Sequence, residues 1–341
     1  MVIESKTNNL SCNGIVSNLE MLLCPMIRDR IYKMPKSIKN SMEEIRLRVN
    51  QPLMIFVNNQ DYFVTSSGEI SNHAHNSHIV NKKNIENTLQ LITNYSIYSV
   101  EEELKQGYIT VQGGHRIGIA GKVLYDNQGI RTMKEFSSLN IRIAREKKGV
   151  AKNILKYLVS EKNGFMNTLI ISPPQCGKTT LLRDIIRNIS NGISNLNLGG
   201  LKVAVIDERS ELAACYHGIP QNDLGIRTDV LDRCPKAQGM MMVIRAMSPQ
   251  VIATDEIGRE DDSQGIYEAL LAGINLITTV HGDSLEDVLS KKVIGKLVQE
   301  GVFKRLIILS NKKGVGTIEK IIDGATHENL IDRPIVNKVV N

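Results

Sequence analysis

The chain has 341 residues, 42% of them apolar, which exceeds the usual size of one hydrophobic core and makes two domains the natural starting point. Aromatic residues are only 4% with no tryptophan, which argues against a surface that stacks single-stranded bases; the net charge of +6 is modest and interspersed, so it favours acidic partners without selecting one. The five cysteines (Cys12, Cys24, Cys176, Cys215 and Cys234) include no C-x-x-C spacing, so neither a disulfide framework nor a zinc ribbon is indicated, and a reducing cytoplasm is expected.

The first residues are rich in Asn and Ser instead of carrying a basic segment before an apolar run, so no secretory signal is expected. Apolar stretches such as Leu19 to Ile27 are too short for the ~30 Å hydrocarbon core of a bilayer, which leaves peripheral contact as the form of any membrane association. From about Ser41 to Gly121 the pattern is short-ranged: Glu44 to Val49 alternates, Leu53 to Val57 is apolar, and Tyr62 to Val64 follows a polar turn. A helix is expected near Ile85 to Tyr95, then a hairpin in Gly107 to Gly121 that breaks at Gly113-Gly114. His73, His75 and His78 lie in an Asn/Ser-rich stretch that reads as an exposed loop. Between Arg142 and Gly164 the sequence turns basic and helical. This gives an amino-terminal α+β domain over residues 1–145.

From Thr168 onward apolar strands alternate with helices, the signature of a parallel sheet covered on both faces. The expected strands are Thr168 to Ser172, Lys202 to Asp207, Gln250 to Thr254, Ile274 to His281 and Arg305 to Ser310, with helices after Lys178, Pro235, Asp261 and Ser284. Gly218 to Arg233 reads as a long polar loop. The second domain is assigned to residues 146–330, with a loose tail over 331–341.

The stretch Ser172-Pro173-Pro174-Gln175-Cys176-Gly177-Lys178-Thr179-Thr180 lies between an apolar strand and a helix. A phosphate-binding loop needs convergent backbone N–H groups, a lysine for the β- and γ-phosphates and a hydroxyl for magnesium, and Gly177, Lys178 and Thr179 supply them. The fold class is therefore α/β, a P-loop NTPase of RecA/AAA-like type, with ATP and Mg as ligands. Ser172 replaces the first glycine of G-x-x-x-x-G-K-[ST] and serves only if its φ stays negative. Asp207-Glu208 and Asp255-Glu256 end two expected parallel strands, the edge where open α/β sheets bind ligands. There Asp255 is expected to support the metal, and Glu256 or the Asp207-Glu208 pair to activate water; either pair could instead cap the helix that follows. His281 ends a third strand at the same edge, within reach of a γ-phosphate. Arginine-finger candidates are Arg209, Arg227 and Arg245 in the P-loop domain and Arg116 and Arg142 in the amino-terminal domain.

The order of P-loop, Asp207-Glu208 strand, Asp255-Glu256 strand and Thr279-Val-His281-Gly resembles the secretion ATPases of type II and type IV systems, with their acidic box, Walker B strand and His box. More closely, Gln221 to Asp232, Met240 to Gln250 with Asp255-Glu-Ile-Gly258, and Glu44 to Leu53 resemble the stage III sporulation protein AA family of endospore-forming bacteria. The resemblance spans about Glu44 to Asp323. It implies a homo-hexameric ATPase, peripheral at the cytoplasmic face of the mother-cell membrane, that works with membrane-embedded sporulation proteins on a secretion-like complex between mother cell and forespore. Two other readings are a nucleic-acid-associated P-loop ATPase and a scaffold that binds nucleotide without hydrolysing it; no nucleic-acid partner is expected, because no binding module follows Asp323.

Overall fold

The computed structural model describes residues 19–127, 129–160 and 164–336; Cys12 lies outside them. The chain divides into two compact units between Arg145 and Glu146.

In the first unit, α1 (Pro25–Lys33) and α2 (Lys36–Ser41) precede β1 (Met42–Arg48), β2 (Met54–Val57), β3 (Gln60–Val64) and β4 (Ile70–Ser71). Then come α3 (Lys82–Ile92), α4 (Glu101–Gln106), β5 (Tyr108–Thr110), β6 (Arg116–Asp126) and β7 (Gly129–Arg142). All seven strands form one antiparallel sheet in the order β4-β3-β2-β1-β7-β6-β5. The alternation in β1 works as read: Ile45 and Leu47 face the core opposite Ile141 and Leu139 of β7, with charged neighbours between them. Gly113 and Gly114 both take positive φ, which makes the expected turn possible. Asn81 caps α3 through a reciprocal pair of bonds with Asn84, each side chain accepting from the other's backbone N–H. His78 departs from the exposed-loop expectation. It is 8% exposed, donates its N–H to Val64 and accepts from the N–H of Leu53, so only His73 and His75 lie in an exposed stretch.

The second unit contains α5 (Leu155–Leu158), β8 (Val159–Ser160), β9 (Gly164–Phe165), β10 (Thr168–Ser172), α6 (Lys178–Asn191), β11 (Val203–Asp207), β12 (Thr228–Asp232), α7 (Lys236–Ala246) and β13 (Val251–Thr254). It continues with α8 (Glu260–Leu271), β14 (Asn275–His281), α9 (Leu285–Ser290), α10 (Lys292–Gln299), β15 (Arg305–Ser310) and β16 (Thr317–Asp323). Its main sheet runs β12-β11-β13-β14-β10-β15-β16, parallel except for the antiparallel β16. Successive residues of one strand enter opposite cores: Ile170 packs with Leu181 and Ile185 of α6, whereas Leu169 and Ile171 pack with Met240 of α7 and Ile266 of α8. Burial on both faces explains why these strands are continuous apolar runs.

Three expectations are corrected here. The polar stretch 218–233 ends in a true edge strand, β12, whose partly exposed residues hide its pairing with β11. The segment after Arg142 is not mainly helical: residues 143–148 are irregular, and α5 has only four residues. The residues given to a loose tail begin inside the fold, since Ile331 is buried and Ile335 exchanges backbone bonds with Ile318; 337–341 lie outside the described residues.

Asp184 on α6 accounts for the irregular segment. Its carboxylate accepts the N–H groups of Gly149 and Ala151 at 3.0 and 2.8 Å and pairs with Arg187 at 2.6 Å, drawing the entering chain onto the helix. Asp184→Ala would strand two backbone donors beside a buried site. We expect a loss of about 3 kcal/mol in urea unfolding; an unchanged midpoint would show that water replaces the carboxylate.

Candidate functional site

The phosphate loop joins β10 to α6. Gln175 and Gly177 take positive φ, 61° and 83°, the left-handed conformation that recurs in the anion-binding backbone nests of phosphate loops. Gly177 is also packed from behind: a Cβ there would lie 3.3 Å from Val315 and 3.5 Å from Gly316, whose N–H donates to Cys176 O. Ser172 does not adopt a positive φ, is fully buried, and donates its hydroxyl to Pro173 O at 2.8 Å. The replacement of glycine therefore meets the backbone condition set by the sequence. Pro173 and Pro174 carry the chain out of the strand, and Thr179 and Thr180 occupy the first turn of α6.

β14 lies beside β10 and brings Ser172 level with His281. Gly282 then turns back, its N–H donating to Ser172 O, in a space where a Cβ would come within 2.9 Å of Asp287 and Val288. This fixes His281 at the mouth of the loop. Lys178 Nζ sits 3.1 Å from His281 Nδ1 and 2.9 Å from Nε2, and Nε2 lies 3.2 Å from Glu256 Oε2. An ammonium only donates and a carboxylate only accepts, so the imidazole stands between a donor and an acceptor. Lys178, His281 and Glu256 thus form one contiguous polar chain, partly exposed along its edge. Lys291 donates to His281 O and pairs with Asp287, which steadies the end of β14.

The four acids divide by environment. Asp255 is 5% exposed and its Oδ1 makes no hydrogen bond, although Lys236 Nζ lies 3.4 Å away; burial pushes its pKa up against the pull of Lys236. A buried carboxylate oxygen without a hydrogen bond, at the same sheet edge as the loop that carries Thr179 with only β14 between their strands, fits a hard cation with oxygen ligands. Glu208 is neutralised by Lys236 at 2.5 Å and Arg259 at 3.3 Å. Asp207 turns away: both its oxygens accept backbone N–H groups, from Glu211, Leu212 and Ala213 at 2.8–2.9 Å. It builds the loop after β11, which Arg183 of α6 clamps through the carbonyls of Glu211 and Leu212. The acid pair at β11 is thus committed to structure, and Glu256 is the carboxylate that reaches the histidine.

Burial pushes the Asp207 carboxyl up to about 6 from its ordinary 3.8. A raised folded value means that protonation favours the fold, so this contribution is complete below 3.8 and is lost as pH rises through about 6. Urea unfolding across that window is expected to show a stability component, growing on acidification, that Asp207→Asn removes; parallel curves for the two proteins would disprove it.

The arginines also separate. Arg209 follows β11 at the carboxyl edge and is exposed. Arg227 and Arg245 lie at the opposite, amino edge: Arg227 precedes β12, bonds Ser190 O at 3.0 Å and packs on Gly200, and Arg245 is exposed in the last turn of α7. Neither can reach the phosphate loop of its own chain. In the first unit Arg116 lies over the Tyr108 ring at 3.5 Å and Arg142 pairs loosely with Glu44 at 3.9 Å. Sequence reading passed over Lys236, Arg183, Asp184 and Arg259; the signal that could have raised Lys236 is a basic residue at the first position of a helix, where the dipole disfavours it.

The fold is that of the P-loop NTPases, and solved secretion ATPases share it. The Legionella pneumophila ATPase DotB superposes with a TM-score of 0.53 at 15% identity, over 83% of this chain and 76% of that one. The pilus retraction motor PilT with bound ADP gives 0.52 at 13% identity, over 80% and 75%. At the level of sequence, Stage III sporulation protein AA of Bacillus subtilis (strain 168) is 43% identical over 301 residues, 85% of this chain and 93% of that protein. The model of the family "Sporulation stage III, protein AA" matches residues 16–328, and the chain belongs to that family.

Proposed function

We propose that the protein hydrolyses ATP to ADP and phosphate at the carboxyl edge of β10, β13 and β14. The observation that supports this most is the unbroken sequence from the phosphate-loop lysine through His281 to Glu256. Lys178 binds the β- and γ-phosphates, with the loop N–H groups around them. Glu256 orients the attacking water and takes its proton, while His281 holds the carboxylate and meets the γ-phosphate. Thr179 and Asp255 would hold magnesium, which when bound draws charge from the phosphate oxygens. Arg209 of the same chain, or Arg227, Arg245, Arg116 or Arg142 of a neighbouring copy, supplies a positive charge that offsets the negative charge developing on the transferring phosphoryl group and the departing ADP.

The family and the secretion-ATPase fold support a larger reading. In it, a homo-hexamer peripheral to the cytoplasmic face of the mother-cell membrane uses hydrolysis to energise a secretion-like complex with the forespore. No helix among the described residues is long and apolar enough to cross a membrane, so such a motor would depend on membrane-embedded partners.

The test is phosphate release by the purified protein, with its oligomeric state followed in parallel. Turnover is expected with magnesium and is expected to vanish with chelator. Nucleotide binding without turnover in every assembly state would favour the scaffold reading instead.

A further inference from the structure

Lys236 is the least expected charge in the second unit. It stands at the first position of α7, where the positive end of the helix dipole repels a cation, and it is 7% exposed. Its own helix offers no acid in the first turn. Two carboxylates from different strand ends hold it: Glu208 Oε2 at 2.5 Å, after β11, and Asp255 Oδ1 at 3.4 Å, after β13. Asp262 of α8 also faces its charge, and Arg259 shares Glu208 from the exposed side. A lysine held against the helix dipole and against desolvation points to a role beyond local stability.

We infer that Lys236 is a resident counter-ion that competes with the divalent cation for Asp255 and withdraws onto Glu208 when the cation binds. This rests on the proposed role of Asp255 as a metal-supporting carboxylate. The unequal distances carry the idea. Lys236 is fully engaged with Glu208, whereas its contact with Asp255 is a longer ion pair without hydrogen-bond geometry. A cation of higher charge can therefore take Asp255 while Lys236 keeps one partner. In the absence of cation the buried Asp255 charge stays compensated, so the empty phosphate loop need not carry an isolated carboxylate at its side.

The competition gives two substitutions opposite signs. Lys236→Met preserves length and removes the competitor, so Mn2+ should bind the ADP complex about tenfold more tightly, while ADP affinity in chelator stays as in wild type. Glu208→Gln removes the partner onto which Lys236 withdraws, so Mn2+ binding should weaken several-fold. Lys236→Arg keeps the charge and should stay near wild type. The measurement is Mn2+ titration of the full-length protein with ADP, read by electron paramagnetic resonance and calorimetry. Opposite shifts for Lys236→Met and Glu208→Gln support the competition. Shifts of the same sign, or none, overturn it, because a purely structural lysine would weaken the site in both variants. If Lys236→Met fails to fold, Glu208→Gln against Lys236→Arg decides: equal Mn2+ affinity in those two overturns the inference. If wild type shows no Mn2+ enhancement of ADP binding that Asp255→Asn abolishes, the proposed metal role of Asp255 fails and the inference with it.

Discussion

Lys178→Ala is expected to abolish ATP hydrolysis, a fall of about 10³-fold or more, and to weaken nucleotide binding as well. The lysine is the phosphate loop's own cation, and its ammonium reaches the histidine at the end of β14. The neighbouring charge cannot replace it, since Lys291 is held by His281 O and Asp287. Lys178→Arg should fail too, because a planar fork does not place its charge where a compact ammonium stood. The stability of the variant should stay close to wild type, since Lys178 contributes its head group at a partly exposed edge and the apolar face of α6 is made by Leu181, Leu182, Ile185 and Ile189. Loss of turnover with an unshifted unfolding midpoint would separate phosphate binding from folding; full turnover in the purified oligomer would remove the proposed reaction.

Much of this arrangement could be read before any coordinates. The five inner strands declared themselves because a strand buried on both faces needs apolar residues at every position, as in Leu169-Ile170-Ile171. β12 did not, since an edge strand carrying Thr228, Asp229 and Asp232 looks like a loop until its partner β11 is known. β16 was hidden for a different reason: a bulge opposite Ile308 and Leu309 breaks its alternation, so Ile318 and Ile321, three residues apart, enter the same core while Ile322 enters the other. Strand ends placed Asp207, Asp255 and His281 at one edge, but which way each side chain turns depends on contacts distant in sequence. Asp207 is claimed by backbone groups four to six residues on, and Glu208 by a lysine 28 residues away. The sporulation family came from resemblance, since no physical property of the site says what cellular machine uses it.

Glu256→Gln is expected to lower turnover by about 10² to 10⁴-fold while leaving nucleotide and metal bound. Of the four acids at the carboxyl edge, Asp207 has both oxygens on backbone donors, Glu208 is bound by two cations, and Asp255 is buried with Lys236 beside it. Glu256 alone among them touches His281 and is about one-third exposed, so a water can reach it. The amide keeps the size of the side chain and, carrying both a carbonyl and an NH2, can still meet the histidine. What it loses is the capacity to take a proton. The signature should therefore be a collapse of kcat with little change in KM, and His281→Ala, which removes the support of the carboxylate, should lose less. If Asp207→Asn or Glu208→Gln costs as much in kcat as Glu256→Gln, the base lies at the end of β11 and the assignment drawn from this geometry is wrong.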